Sequence, residues 1–226
     1  MIQMYQVSKR YPNGALALRD VNLVIEKGEF VFLVGPSGAG KSTFMKMIIR
    51  RELPSEGQIV VGGKNVARLR NWEIPRLRRS VGTIFQDFLL LPNKTAYENV
   101  AFALEVTETS SRDIRRRVPA ALELVGLKHK LSARPHELSG GEQQRISIAR
   151  AIVNNPLILL ADEPTGNLDP STSWEIMDLL SEINKRGTTV LMATHNREIV
   201  DRMKKRVIAL EAGQIIRDEQ RGVYCL

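Results

Sequence analysis

Gly35-Pro-Ser-Gly-Ala-Gly-Lys41-Ser42 is the stretch that decides the fold of this chain of 226 residues. It fits the pattern G-x-x-x-x-G-K-[ST], and it lies between a short apolar run, Phe30–Val34, and a run with apolar residues at helical spacing, 42–50. In such a strand-to-helix turn, glycines let successive backbone N–H groups point inward, and the helix adds its positive end. The lysine supplies a charge for the β- and γ-phosphates, and the hydroxyl can ligate Mg²⁺. Although glycine-rich turns also occur as plain structure, this one predicts a nucleoside triphosphate site. The predicted binding residues are Gly35, Pro36, Ser37, Gly38, Ala39, Gly40, Lys41, Ser42 and Thr43.

The net charge and the cysteine content limit the classes of function that the chain could have. The net charge is +8, with arginines clustered at 68–79 and 112–117, which suits nucleic acid, an anionic membrane face or only a solvated surface. Aromatic residues make up 5% of the chain and are not interleaved with these clusters, so we expect no direct contact with nucleic acid. The single cysteine, Cys225, cannot form an internal disulfide, which favours a reducing cytoplasm. We find no signal peptide pattern and no run of about 18 uncharged apolar residues that could cross a bilayer.

The order of the predicted elements indicates the fold class. The N-terminal part is rich in strand patterns and includes a hairpin at 58–63, the middle from about 95 to 154 is helical, and strands alternate with helices from 157 to 210. Such alternation is typical of a mainly parallel α/β sheet. We predict a single α/β domain of the P-loop NTPase type with a mainly parallel sheet core and an N-terminal antiparallel β part. Its core covers about 1–86 and 156–226, and an inserted helical subdomain covers about 87–155.

Two acids follow a second buried strand pattern. Leu157-Ile-Leu-Leu160 leads through Ala161 to Asp162 and Glu163, and open α/β sheets bind ligands at the carboxyl ends of their strands. Asp162 is suited to hold Mg²⁺, and Glu163 to orient or deprotonate a water molecule. By itself, an apolar run followed by two acids often marks only a strand that ends at the surface. Together with the phosphate loop, it favours hydrolysis over binding alone.

A second anion site precedes these acids. Ser139 is a good helix N-cap, and the two glycines after it expose N–H groups at a helix N-terminus. The stretch Leu138-Ser139-Gly140-Gly141-Glu142 resembles the signature Leu-Ser-Gly-Gly-Gln of the ATP-binding-cassette (ABC) ATPases, with Glu in place of the final Gln. In that family the signature of one subunit closes over the triphosphate held by the other subunit. The resemblance therefore implies an ATP-dependent homodimer.

The resemblance also implies roles for single residues. Tyr11 would stack on adenine, Gln86 would touch the metal and sense a membrane partner, Asp169 would lie in the loop that crosses the dimer interface, and His195 would contact the γ-phosphate. Taken singly, each has an ordinary structural interpretation, but their order along nearly the whole chain supports the family. The implied cofactors are ATP and Mg²⁺. The implied catalytic residues are Glu163, His195 and Gln86, and the implied metal ligands are Ser42, Gln86 and Asp162.

Within the family, two stretches, 81–88 and 161–169, resemble the bacterial branch that acts in cell division. The run Pro-Thr-Gly-Asn-Leu-Asp at 164–169 is shared with lipoprotein-release and macrolide-export ATPases, so a transporter subunit of that kind is the alternative. The resemblance implies a peripheral subunit on the cytoplasmic face of the cell membrane with an integral membrane partner. A soluble nucleic-acid-associated cassette is disfavoured, because such proteins carry paired cassettes, coiled-coil arms or zinc cysteines. The intact Lys41, Asp162 and Glu163 disfavour a non-enzymatic scaffold.

An apolar run follows Gln86. Phe88, Leu89, Leu90 and Leu91 are consecutive and end at a proline, and contiguous exposed apolar surface usually marks a binding site. We predict that this run lines a groove for a short cytoplasmic helix of the membrane partner. The alternative is that these side chains pack the helical insertion onto the sheet.

Overall fold

The computed structural model describes residues 1–224, so the predicted surface role of Cys225 lies outside the described residues. The chain forms two compact units. The first unit contains residues 1–78 and the chain from residue 184 onward, and the second contains residues 79–183. The boundaries predicted for the helical subdomain, at 87 and 155, both fall inside the second unit. Within residues 1–224, the helices are all too short or too polar to span a bilayer.

The helices and strands alternate along most of the chain, apart from a strand-rich beginning and a helical middle. In chain order they are β1 (Ile2–Arg10), β2 (Leu16–Ile25), β3 (Phe30–Val34), α1 (Lys41–Ile48), β4 (Glu56–Val61), β5 (Lys64–Asn65), α2 (Ile74–Arg79), β6 (Val81–Ile84), α3 (Ala96–Glu105), α4 (Ser111–Leu124), α5 (Gly140–Ile152), β7 (Ile158–Asp162), α6 (Pro170–Lys185), β8 (Thr189–Ala193), α7 (Arg197–Met203), β9 (Arg206–Glu211) and β10 (Gln214–Glu219).

In the first unit, β3 runs parallel to β8 on one side and to β9 on the other. All residues of β3 are buried, as expected for an apolar strand covered on both faces. Leu33 of β3 is paired in register with Ala193 of β8, so positions 35 and 195 leave the same edge of the sheet. β10 pairs antiparallel with β9, and β2, β1, β4 and β5 form a separate antiparallel sheet in that order. The predicted parallel core and antiparallel N-terminal part are thus confirmed.

In the second unit, β6 and β7 run parallel, with Ile84 paired to Ala161. The helices α3, α4 and α5 pack against one another through buried apolar faces. Thr95 caps α3 in a capping box with Glu98, and Ser110 caps α4 by accepting from the Asp113 N–H. These caps define where the helices begin, which fixes the faces that they bury.

Most predicted elements are confirmed: the sequence pattern predicts helices at 95–104, 112–125, 171–185 and 197–203, and the bounds of α3, α4, α6 and α7 agree with these within one residue. The pattern also predicts a helix at 143–154, and its start is wrong, because α5 begins at Gly140. The helix starts directly after its N-cap, Ser139, so both signature glycines are helical. β10 was missed because it is an edge strand with mainly exposed, polar residues, which carry no clear period.

Candidate active site

The phosphate loop ends in an uncapped helix. Helix α1 begins at Lys41, and its N-cap, Gly40, has no side chain to accept from the first N–H groups. The first turn contains no acidic residue. Lys41 folds back over the loop, where its Nζ donates to the carbonyl oxygens of Gly35 at 2.7 Å and Pro36 at 3.0 Å. The helix end and the ammonium group therefore concentrate positive charge at one place, which fits an anionic group such as a triphosphate.

Two glycines of the loop cannot be replaced without moving the backbone. A Cβ at Gly35 would lie 2.2 Å from the carbonyl oxygen of Leu210, and one at Gly40 would lie 2.4 Å from that of Ala17. Both glycines also have positive φ angles, 152° and 107°. The Gly213 N–H donates to the Ala39 carbonyl at 3.1 Å. The loop is thus held closely by the strands and turns around it before any ligand binds.

Tyr11 lies beside the phosphate loop. Its hydroxyl is 3.2 Å from Oγ1 of Thr43, which places the phenol next to the first turn of α1. The ammonium of Lys9 lies 5.0 Å from the centre of the ring, a cation–π distance. One face of the ring is therefore covered by a cation, and a base would have to stack on the other face.

His195 leaves the sheet at the same edge as the phosphate loop. It follows β8, whose last residue is paired with Leu33 of β3. The imidazole is exposed, and the flanking residues are fixed: the Asn196 N–H donates to Oγ1 of Thr194, and Oδ1 of Asn196 caps α7. The histidine is therefore presented at a strand end, where ligands of α/β sheets bind.

The second unit repeats this arrangement with other side chains. Because Ile84 pairs with Ala161, Gln86 and Glu163 both leave parallel neighbouring strands at their carboxyl ends. Asp162 is the last residue of β7, and both acids are half-buried. Glu163 has a φ of 47°, a left-handed conformation that is uncommon for residues with a side chain and clusters at functional sites. Carboxylate and amide oxygens are the ligands that Mg²⁺ prefers, and in the first unit Ser42 carries an exposed hydroxyl.

The amide of Gln86 is held by the loop after β7. Its Nε2 donates to Oδ1 of Asn167 at 3.3 Å, and Nδ2 of Asn167 donates back to the Gln86 carbonyl at 3.3 Å. A Cβ at Gly166 would lie 3.0 Å from Nε2 of Gln86, so the glycine makes room for the amide. Asn167 therefore ties the glutamine to the loop that carries Asp169, a role that was not predicted from the sequence.

The signature residues form the start of α5. The Ser139 N–H donates to Oε2 of Glu142 at 2.9 Å, and the Glu142 N–H donates to Oγ of Ser139 at 3.2 Å. The hydrogen bond from the Ser139 N–H lowers the pKa of Glu142 below its usual value. Nζ of Lys130 lies 3.7 Å from Oε1 of Glu142 and offsets its charge. Glu142 therefore completes a capping box with Ser139, as the glutamine of the family pattern would.

Asp169 caps the next helix of the same unit. Its carboxylate accepts from Oγ of Ser171 at 2.5 Å and from the Thr172 N–H at 3.0 Å. The hydrogen bond from the Ser171 hydroxyl, together with those from Thr172, holds the pKa of Asp169 well below its usual range. The carboxylate is exposed and ionised at neutral pH, which suits a residue that reaches toward another molecule.

The apolar run after Gln86 is partly exposed. Leu89 is 55% exposed, whereas Phe88, Leu90 and Leu91 are half-buried. Phe88 and Leu89 both have left-handed backbone angles, with φ of 58° and 48°. Arg150 donates to both of their carbonyl oxygens, a contact that the sequence analysis missed. Its only signal in the sequence is an arginine within the otherwise mostly apolar run 146–152.

Comparison with known families and proteins gives consistent matches. The family model described as ABC transporter matches residues 18–166. The Cell division ATP-binding protein FtsE of Bacillus subtilis (strain 168) is 61% identical over 99% of this chain and 98% of its own length. Proteins with the same name from Mycobacterium tuberculosis (strain ATCC 25618 / H37Rv) and Escherichia coli (strain K12) are 58% and 51% identical, over 99% and 95% of this chain and 98% and 97% of their own lengths.

Solved structures agree with these relatives. A dimeric ATP-binding cassette in a post-hydrolysis state, bound to ADP and Pi, superposes with a TM-score of 0.88 at 38% identity, over 99% of this chain and 100% of that one. A cassette from an ABC transporter complex of Clostridium perfringens superposes with a TM-score of 0.91 at 33% identity, over 97% of this chain and 88% of that one.

Proposed function

The chain belongs to the ABC transporter family and is an ATPase, and on this premise we propose that it is the ATP-hydrolysing subunit of a membrane complex in cell division. It would pair with an FtsX-like permease at the cytoplasmic face of the cell membrane and drive the activation of cell-wall hydrolases. The structural observation that carries the ATP-binding part is the uncapped helix α1 with Lys41 folded over its loop. The relatives named for cell division support this role over lipoprotein release or export.

ATP binding is the task of the first unit. The N–H groups of the loop and of the first turn of α1 would cradle the phosphates, since the N-cap Gly40 provides no side chain that caps the helix. Lys41 would exchange its two carbonyl partners for the β- and γ-phosphates, which are better acceptors because they are charged. Tyr11 would stack on the adenine with the ring face that Lys9 leaves open.

Hydrolysis requires a base and a charged environment around the γ-phosphate. We assign the base to Glu163, which follows Asp162 at the carboxyl end of β7 and has a left-handed backbone conformation. We assign Mg²⁺ binding to Ser42, Gln86 and Asp162, which supply the oxygen ligands that this ion prefers. When bound, Mg²⁺ would neutralise charge that develops on the transferred phosphoryl group. His195, presented beside the loop edge, would contact the γ-phosphate.

We propose that the second anion site at Ser139 acts across an ATP-dependent homodimer. Ser139 is exposed at the N-terminus of α5, which it caps in a capping box with Glu142. A helix N-terminus stabilises an anion, and the phosphate loop of the same chain already serves its own nucleotide. The dimeric cassette bound to ADP and Pi supports this arrangement.

We propose that the run from Phe88 to Leu91 contacts the membrane partner. Leu89 is more than half exposed and follows Gln86 closely in the chain. A change in the conformation of Gln86 would therefore alter the surface that the partner covers. Leu89 is 55% exposed, so burying the rest of its side chain is worth about 0.8–1.6 kcal/mol, enough to change affinity roughly 4- to 15-fold.

The test is the substitution Leu89→Glu, with Leu157→Glu as the matched control. Both leucines are exposed in the second unit, at 55% and 46%, so both variants are expected to fold and bind ATP. In membranes that contain the native permease, Leu89→Glu should be found in the supernatant, whereas Leu157→Glu should co-sediment like the wild type. Normal co-sedimentation of Leu89→Glu, or equal release of both variants, would contradict the proposed surface.

A further inference from the structure

Helix α5, which begins at the signature, holds the apolar segment 88–89 at two points. Near its start, a Cβ at Gly140 would lie 3.8 Å from Cζ of Phe88, so the tip of the ring rests close to the first helical turn. Near its end, Arg150 donates from Nη1 to the Leu89 carbonyl at 2.7 Å and from Nη2 to the Phe88 carbonyl at 2.8 Å. These two points are ten residues apart, or about 15 Å along a helix axis.

The segment needs such support, because its backbone is strained. Phe88 and Leu89 are consecutive residues in the left-handed region, which residues with a Cβ rarely adopt. The guanidinium forms one charge-assisted hydrogen bond with each of their carbonyl groups, so it favours this conformation over the relaxed alternatives. On the far side, Oδ1 of the fully buried Asn99 accepts from the Leu91 N–H at 2.7 Å.

The guanidinium of Arg150 is partly buried at an unfavourable free energy, which indicates that its contact with Phe88 and Leu89 is specific. Burial lowers the pKa of its guanidinium, so the charge is partly removed from water. Its partners in the structure are these two backbone carbonyls, neither of which carries a full charge. An arginine whose only task was solubility would keep its charged end in water.

We propose that Arg150 is a positioning residue that couples the signature helix to the partner-contacting segment. When a second copy of the chain and its nucleotide engage Ser139, any displacement of α5 is passed to Phe88 and Leu89 through the guanidinium of Arg150. The inference rests on the proposed ATP-dependent dimer and adds the physical link between that dimer and the membrane partner.

The experiment compares Arg150→Met with Arg145→Met, both in a Glu163→Gln background. Arg145 lies on the same helix but donates to the Val125 carbonyl and pairs with Glu175, so it does not touch the segment. Amide hydrogen exchange is measured for residues 87–91 with and without Mg-ATP, and light scattering reports the dimer. Loss of a charge-assisted hydrogen bond should raise the amide exchange rates of Leu89 and Leu91 about tenfold or more in Arg150→Met but not in Arg145→Met.

The nucleotide response decides the proposal. With Arg150 present, Mg-ATP should change exchange across 87–91. In Arg150→Met the dimer should form without that change in exchange, while Arg145→Met should respond like the Glu163→Gln protein. A dimer of Arg150→Met that keeps the full response would overturn the coupling role and leave the proposed function intact. If the Glu163→Gln protein forms no dimer with Mg-ATP, the dimer in the proposed function is wrong, and the coupling role of Arg150 is wrong with it.

Discussion

Gly141, the second glycine of the signature, lies beside Thr172 in the first turn of helix α6. A Cβ at this position would lie 2.5 Å from Cγ2 of Thr172, about 1 Å closer than ordinary van der Waals contact. Thr172 is β-branched and its N–H is bonded to Asp169, so it cannot move away freely. Overpacking costs about 1–3 kcal/mol, and exchanging glycine for alanine within a helix returns about 0.5–1 kcal/mol. We therefore predict that Gly141→Ala lowers the free energy of unfolding by about 1–2 kcal/mol.

The assay is urea unfolding followed by circular dichroism, with two comparison variants. Gly140→Ala is the matched control, because its Cβ would lie 3.5 Å from Leu168 and 3.8 Å from Phe88, both ordinary contacts. Without a clash, it should be at least as stable as the wild type, by up to about 1 kcal/mol. Thr172→Ser removes the methyl group and keeps the hydroxyl, so the double variant with Gly141→Ala should recover about 1 kcal/mol. Equal stability of the two alanine variants, or no recovery in the double variant, would show that the approach of Thr172 does not limit the side chain at position 141.

Three further predictions concern the nucleotide, the dimer and pH. Lys41→Ala should weaken ATP binding at least tenfold, the equivalent of about 1.5–3 kcal/mol for a charged hydrogen bond, while Lys46→Ala on the same helix binds normally in equilibrium titrations. Equal affinities of the two variants would contradict the loop assignment. Ser139→Arg should leave ATP binding intact and prevent the ATP-dependent dimer, and light scattering that still shows a dimer would exclude the serine from that interface. The pKa of Glu142 is lowered in the folded state, so its stabilisation is present above its unfolded pKa and is lost as pH falls through the folded pKa. Glu142→Gln keeps the cap without titrating, and its unfolding free energy should therefore fall less than that of the wild type between about pH 6 and about pH 3. The same pH dependence in both proteins would contradict this assignment.

The phosphate loop and the acidic strand end were predictable because each carries its geometry in a short local pattern. Glycines at 35 and 40 are required by close backbone contacts, and Lys41 and Ser42 follow at a fixed spacing. Asp162 and Glu163 come directly after a buried strand, and parallel strands bring their carboxyl ends to one edge. Local chemistry and fold therefore agree at these positions.

The contacts of Arg150 and Asn167 could not be predicted in the same way. Arg150 donates to backbone carbonyls 61 and 62 residues away in the sequence, and a carbonyl group carries no information about residue type. Asn167 and Gln86 are separated by 81 residues and meet only because β6 and β7 are neighbours in the sheet. Such contacts depend on the tertiary fold, so residue patterns along the chain do not reveal them.

The central claim is that this chain hydrolyses ATP with Glu163 as the base, within an ATP-dependent homodimer. The most direct measurement is phosphate release together with light scattering for Glu163→Gln at saturating Mg-ATP. The amide keeps the shape of the carboxylate but cannot accept the proton, so we expect that turnover is lost and that a stable dimer accumulates. Turnover at the wild-type rate, or a monomer under saturating nucleotide, would contradict it.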